Sequence, residues 1–269
     1  MTLTQQLNNC SGSGKALLAV NFYNFETLKG LLLAAQISKS PLILQLSEST
    51  LNYLGITCAV DMARVALKQF EVQGWVHLDH GSNIEIIRKC LDAGFDSVMI
   101  DASEQSISEN IRITSEVVRL AEAYGANVEA ELGYIAKLGQ NQKPEFTQPA
   151  EAKQFVESTG VNALAVAIGT AHGFYKSTPH LEIELLKQIH AATSAALVLH
   201  GGSGVPDDQL KLAVQCGIAK VNLATETKNI FMKTLQQLLA NTEEIDLRKI
   251  FPPAIDAVTQ LIANKLSML

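Results

Sequence analysis

Cysteine is scarce in this chain. Cys10, Cys58, Cys90 and Cys216 are the only four in 269 residues. They lie far apart with no CxxC spacing. That argues against a disulfide framework and for reduced thiols acting as small buried hydrophobes, with Cys90 and Cys216 in amphipathic helical stretches. Positive charge is also in short supply. Lys and Arg number 21 against 27 Asp and Glu, for a formal net charge of -6. No basic stripe or run is visible, which argues against nucleic acid as a partner and means that an anionic substrate needs locally gathered positive charge. No apolar run approaches the about 18 residues of a transmembrane helix. The first residues, Met1-Thr2-Leu3-Thr4-Gln5-Gln6, lack the basic-then-apolar order of a signal peptide, so the expected compartment is the cytoplasm. Linkers, internal repeats and low-complexity tracts are missing as well.

What is present is apolar and periodic. The chain is 47% hydrophobic with mean hydropathy +0.14, ample for one large core. Short β-branched or apolar runs alternate with longer stretches of helical period. Eight runs read as strands: 16–21, 42–46, 75–78, 97–100, 127–131, 163–168, 195–199 and 219–223. Helical stretches follow them at 25–38, 57–71, 84–92, 108–124, 149–158, 181–192, 206–215 and 226–239, and a further C-terminal helix covers 252–265. Gly94, Gly125, Gly160 and Gly217 each stand just past a helical stretch, where a left-handed cap favours glycine. Eight βα units predict a single (β/α)8 TIM barrel domain over residues 1–269, the size class of about 250 residues. A doubly wound open sheet is the alternative. The barrel is preferred because polar residues end nearly every strand, as though facing one mouth.

Three of six histidines end apolar runs at the start of Gly-containing loops. They are His80 in Val76-His77-Leu78-Asp79-His80-Gly81, His172 in Ala167-Ile168-Gly169-Thr170-Ala171-His172-Gly173, and His200 in Leu197-Val198-Leu199-His200-Gly201-Gly202-Ser203-Gly204. Three imidazoles from three strand ends can close on one divalent metal and leave a position for substrate. Asp79 beside His80 can exchange a proton with substrate oxygen, although an Asp N-cap beside a hydrogen-bonded loop His is the plainer reading of that pair alone. His77, His180 and His190 receive no function. The HGGSG turn before a helix start can cradle a phosphate on backbone N–H groups, and the last two βα loops of such a barrel often do so. The last strand adds Asn222, Ala224 and Thr225 before another helix start. Asp101, Glu129 and Glu131 put carboxyl groups at the mouth, either orienting the imidazoles or paired with nearby Lys or Arg. No lysine is expected inside a strand.

Taken together, His77–Gly81, Ala93–Ser103, Val128–Gly133, Gly169–Gly173, Leu197–Gly204 and Lys220–Lys228 resemble the class II, metal-dependent ketose-bisphosphate aldolases over essentially the whole chain. The resemblance implies zinc on His80, His172 and His200, and a monovalent cation near the phosphate site. It implies Asp79 as the acid/base residue at the substrate's C4 oxygen, and Asp101 and Glu131 as supporting or alternative metal contacts. It puts the dihydroxyacetone phosphate end on Gly173, Gly201, Gly202, Ser203 and Thr225, with Asn222 at the enediolate region and Asn21 and Ser47 as further substrate contacts. Arg248 matches an arginine that reaches the far phosphate of a neighbouring subunit's substrate, which implies a homodimer or homotetramer. Ala224 stands where fructose-bisphosphate members carry Asp and tagatose-bisphosphate members carry Ala, so the resemblance leans toward tagatose 1,6-bisphosphate.

Two stretches depart from that family. After Glu131-Leu132-Gly133 the family has paired glycines and an acidic cluster that handles a proton, whereas here Tyr134-Ile135-Ala136-Lys137-Leu138-Gly139-Gln140-Asn141-Gln142-Lys143-Pro144-Glu145 retains only Glu145. Glu104 stands where a histidine is common. Slow proton exchange or a different phosphorylated ketose would fit the altered loop. A non-catalytic partner subunit of the same fold is the rival from another class, and the full histidine set with Asp79 argues against it.

Overall fold

The structure is a computed structural model that describes residues 1–137, 145–173, 175 and 178–269. Its frame is a closed barrel of eight parallel strands: β1 (Leu17–Asn21), β2 (Leu42–Ser47), β3 (Gly74–Gly81), β4 (Ser97–Ile100), β5 (Asn127–Leu132), β6 (Ala163–Val166), β7 (Ala196–Leu199) and β8 (Ile218–Leu223). Each strand pairs with its neighbours in chain order, and β8 closes on β1. This is the (β/α)8 architecture expected from the sequence. Predicted strand ends fall within about two residues except at β3. That strand runs on through Asp79, His80 and Gly81.

Strand alternation sorts the side chains into two cores. Val76, Leu78, Val98, Val128, Ala130 and Leu164 point outward into the shell of helices. Leu17, Ala19, Ile43, Trp75, Ala163, Ala165 and Val198 fill the lower barrel. The helix Leu3–Cys10, which the sequence pattern does not announce, closes this floor. Thr2 and Gln5 form its capping box, and Leu3, Leu7 and Cys10 join the interior cluster. Higher in the barrel the inward positions turn polar: Gln45, His77, Asp79, Ser97, Asn127, Glu129, Glu131, His200, Lys220 and Asn222 are all buried.

The outer helices form where amphipathic period meets a cap. Asn83 accepts from the N–H groups of Glu85 and Ile86 to start Ile84–Asp92, which buries Ile87, Cys90 and Leu91. The C-terminal helix Pro252–Leu266 packs on Phe25–Ser38. Gly30 permits that approach, since a Cβ there would stand 2.8 Å from Val258 Cγ1. The short helices Glu48–Leu54 and Leu247–Ile250 are also absent from the sequence reading. Cys10 and Cys90 are buried as expected, whereas Cys58 is exposed, so not every thiol is a core residue. No helix among the described residues is long and apolar enough to cross a membrane.

Lys220 requires a correction. The sequence pattern predicts strand interiors without lysine, yet Lys220 lies inside β8 and is 1% exposed. Its charge is tolerated there because Glu129 Oε2 lies 2.6 Å from its Nζ.

Candidate active site

β3 brings two chemically active residues to the mouth at once. In a regular strand Asp79 and His80 would face opposite ways. Here His80 adopts φ 54°, and the β3–β4 register shifts between Leu78 and Gly81. The left-handed residue turns the imidazole inward beside Asp79. His200 follows the end of β7. His172 arrives differently: β6 stops at Val166, and Ala171–His172 forms a separate two-residue pairing with Ala136–Lys137.

The three rings converge edge to face. Their centroids lie 4.8 Å apart for His80 and His200, 5.0 Å for His80 and His172, and 5.7 Å for His172 and His200. His80 Nε2 and His200 Nδ1 face each other at 3.1 Å. Behind them, His80 Nδ1 meets Asp101 Oδ2 at 2.7 Å, and His200 Nε2 meets Glu129 Oε1 at 2.9 Å. Each carboxylate commits one ring nitrogen outward and leaves the other turned toward the common centre, the arrangement that metal-holding histidines use. Ser103 N–H and Oγ–H both donate to Asp101 Oδ1 and fix that carboxylate.

Glu131 completes the cluster. Ligand-type atoms of His80, Glu131, His172 and His200 all lie within 4.8 Å of one another. Glu131 Oε2 stands 3.7 Å from His200 Nδ1 and has no hydrogen-bond partner among the described residues. Burial and the nearby Asp101 charge push its carboxyl up to about 8. A buried carboxyl oxygen without a donor, facing three imidazoles, fits a divalent cation held at this point.

The charges around the cluster are sharply divided. Burial opposes a charge on His80, but Asp79 and the hydrogen bond to Asp101 outweigh it and raise the ring to about 9. Burial and the neighbouring His200 and His80 lower His172 to about 3. Burial also acts against ionisation of Asp101, but the His80 hydrogen bond and charge hold it well below the carboxylate range. Asp79 is lowered too, because His80 and His200 and the hydrogen bond from Asn21 overcome its burial.

Asp79 is held at both oxygens. Asn21 Nδ2 donates to Oδ2 at 2.9 Å, and Gln45 Nε2 donates to Oδ1 at 3.1 Å. Asn21, expected as a substrate contact, therefore serves Asp79 in this structure. Sequence reasoning misses Gln45. Only the strand alternation that places it two residues below Ser47 could have found it. Ser47 lines the mouth, but its hydroxyl also accepts from Thr50 N–H and caps the helix Glu48–Leu54.

Two cavities flank the histidines. The larger, about 640 Å³, is lined by Ser47, His80, Ser82, Asp101, Glu104, Gln105 and His172. The smaller, about 30 Å³, joins Asn21, Asp79, His172, Gly173, Gly201, Ser203, Asn222, Ala224 and Thr225. Gly201 sits at φ 64°, and a Cβ there would run into the Ala171 carbonyl. Tyr175, which no sequence signal marks, ties these loops together: its hydroxyl accepts from Ala171 N–H at 2.7 Å and donates to Gly201 O at 2.9 Å. Gly202 N–H is spent on Asn222 O, and Glu226 accepts from Gly204 N–H at 2.6 Å. Ser203 Oγ accepts from Ala224 and Glu226 N–H groups. Both side-chain ends of Asn222 lack partners among the described residues.

Arg248 stands apart on the short helix Leu247–Ile250, where it is highly exposed and makes a bidentate pair with Asp246 at 3.0 and 2.9 Å. In the loop that departs from the family pattern, Tyr134 N–H donates to Glu145 O at 2.9 Å. Residues 138–144 of that loop lie outside the described residues.

Comparison with known proteins agrees with the architecture over the full length. The family model for "Fructose-bisphosphate aldolase class-II" matches residues 1–269. A fructose-bisphosphate aldolase of Geobacillus stearothermophilus is 37% identical over 273 residues, covering 99% of this chain and 95% of that protein. A probable fructose-bisphosphate aldolase of Bacillus subtilis is also 37% identical, covering 99% and 96%. Among solved structures, the YdjI aldolase of Escherichia coli K12 superposes with TM-score 0.89 at 33% identity, over 99% of this chain and 96% of that one.

Proposed function

The chain belongs to the class II fructose-bisphosphate aldolase family of metal-dependent lyases, and from that premise we propose that it cleaves a ketose 1,6-bisphosphate reversibly, with zinc as its metal. The products of this reading are dihydroxyacetone phosphate and glyceraldehyde 3-phosphate. Tagatose 1,6-bisphosphate is the preferred substrate, because Ala224 and the run Ala167-Ile168-Gly169-Thr170-Ala171-His172-Gly173 resemble that branch of the family. Fructose 1,6-bisphosphate is the second candidate, in keeping with the names of the relatives.

The observation that carries the reading is the setting of Asp79. An ionised carboxylate, gripped at both oxygens by Asn21 and Gln45, stands 3.9 Å from His80 Nε2 at the edge of the imidazole cluster. A base needs its lone pair free at working pH and its position fixed. Asp79 has both, and in this reading it takes the proton from the C4 hydroxyl as the C3–C4 bond breaks. When bound by His80, His172 and His200, with Glu131 in reach, zinc supplies a Lewis acid for charge developing at the ketose carbonyl. The unpartnered amide of Asn222 is suited to a substrate hydroxyl. Gly173, Gly201, Ser203 and Thr225 form the phosphate end at the start of the helix Thr225–Leu239, whose dipole favours an anion.

The larger cavity receives the aldehyde half. Arg248, highly exposed on its short helix, exchanges its pair with Asp246 for the far phosphate of a neighbouring subunit's substrate in a homodimer or homotetramer. The test is side-by-side cleavage of tagatose 1,6-bisphosphate and fructose 1,6-bisphosphate, reading triose phosphate release. A higher kcat/KM on the tagatose sugar is expected. Faster cleavage of the fructose sugar would reverse the preference, and no cleavage of either would remove the assignment.

A further inference from the structure

The two loops of the phosphate end share a buried cation that the proposed chemistry does not use. Lys265 lies on the C-terminal helix Pro252–Leu266 and is 7% exposed. Its Nζ donates to Asp207 Oδ1 at 3.0 Å and stands 3.9 Å from Glu226 Oε2. Asp207 opens the helix Asp207–Gln215 after β7, and Glu226 lies in the first turn of Thr225–Leu239 after β8. One ammonium therefore joins the two βα units that carry Gly201, Ser203 and Thr225.

Glu226 grips the turn between them. Its Oε1 accepts from Gly204 N–H at 2.6 Å, and its own N–H donates to Ser203 Oγ at 3.3 Å. Its Oε2 has no hydrogen-bond partner among the described residues and forms its ion pair with Lys265. A carboxylate thus stands one residue from Thr225, where a phosphate is to sit. Like charges so close oppose each other. They also compete for the same helix N-terminus. A cation on the second oxygen of Glu226 removes that conflict, and the first oxygen keeps its hold on Gly204. Lys265 is not needed to dock its own helix. Ala254, Val258 and Ile262 on that helix are completely buried, and an apolar side chain often serves packing as well as a buried ion pair does.

We propose that Lys265 is a positioning residue for the phosphate end: it offsets the Glu226 charge, so that this carboxylate can hold the turn of Ser203 and Gly204 beside a bound phosphate. The proposal rests on the reading of Gly201, Ser203 and Thr225 as that end. It requires no contact between Lys265 and the substrate.

Binding of dihydroxyacetone phosphate to the zinc-loaded protein, read by calorimetry, tests it in the wild type, Lys265→Met, Glu226→Gln and the double variant. An uncompensated charge at about 4 Å is worth about fivefold even in water, and a loss of at least that size is expected in Lys265→Met. In cleavage of a ketose bisphosphate the same variant should raise KM more than it lowers kcat. Glu226→Gln removes the charge, but its amide oxygen still accepts from Gly204 N–H, so it should bind at least as tightly as the wild type. In that background Lys265→Met should cost less than about twofold, since the two residues act as one unit. A merely structural lysine would cost the same affinity in both backgrounds. Unchanged affinity in Lys265→Met, or an equal loss in both backgrounds, overturns the proposal. Should Lys265→Met not fold, Glu226→Gln decides alone: equal or tighter binding supports the proposal, and weaker binding overturns it. No binding by the wild type would instead remove the phosphate-end reading, and the proposal with it.

Discussion

His80 Nε2 and His200 Nδ1 stand 3.1 Å apart, each ring backed on its opposite nitrogen by a carboxylate. Two ring nitrogens at that separation share a proton or a cation. Asp101 and Glu129 hold the rings in place from behind and leave the facing pair for the cation. Replacing Asp101 by Asn keeps the shape but loses the charge that supports His80. Metal affinity should fall by about 10- to 100-fold, and at neutral pH the metal-free protein should also melt lower, because the charged Asp101 partner of His80 is lost. Chelator competition reads the first quantity and thermal unfolding the second.

Asp79→Asn separates proton transfer from metal binding. Asn21 and Gln45 can still hold one oxygen, but the base is gone. Loss of a general base typically costs about 10²- to 10⁴-fold in rate, so kcat should fall in that range while zinc affinity stays within a few-fold. Equal losses in both would mean that Asp79 serves the metal rather than the substrate.

The metal-free site also predicts a pH dependence. His80, raised to about 9, carries a proton at pH 7 that a metal must displace. Apparent zinc affinity should therefore climb from pH 6 to about 9 and flatten above it, by about tenfold per pH unit for one proton released. Folding stability moves the other way. The His80 contribution is complete below its unfolded value near 6.5 and is lost as pH rises through about 9. Glu131, raised to about 8 by burial, acts in the same sense, because its neutral form suits the fold and its ionised form does not. The melting temperature of metal-free protein should thus fall between pH 6.5 and 9, and metal should flatten the fall. A melting temperature that rises over this range would contradict the assigned charges.

The site is legible in the sequence where chemistry coincides with a strand end. The pair Asp79-His80 and the single His200 each follow a strand-like run and precede glycine, and the structure brings them together with His172. The barrel is legible because its apolar strands and amphipathic helices differ in period. What stays hidden depends on register between strands distant in the chain. Gln45 and Asp79 are neighbours only because β2 pairs with β3. Lys220 meets Glu129 only across the barrel interior, where a charged side chain is unexpected until its partner is seen. Tyr175 sits in a loop with no periodic signal. The floor helix Leu3–Cys10 reads as polar in its first residues, so its three buried contacts do not stand out.

Gly201 tests the phosphate cradle. Its φ of 64° and the Ala171 carbonyl in the path of a Cβ leave no room for a side chain. Gly201→Ala should cost about 1–3 kcal/mol in stability through backbone strain and raise KM for a phosphorylated ketose more than it lowers kcat. Thermal unfolding and steady-state kinetics measure the two effects. A variant with wild-type KM would show that this turn does not hold the phosphate.

If the site works as its geometry suggests, cleavage requires a cation held by His80, His172 and His200. Ketose bisphosphate cleavage by protein stripped with chelator and then titrated with zinc, alongside His172→Ala, decides the matter. The stripped protein should not cleave, recovery should be complete at one zinc per chain, and the variant should not recover at the same zinc concentration. Undiminished cleavage by metal-free protein would mean that the three histidines serve some other end.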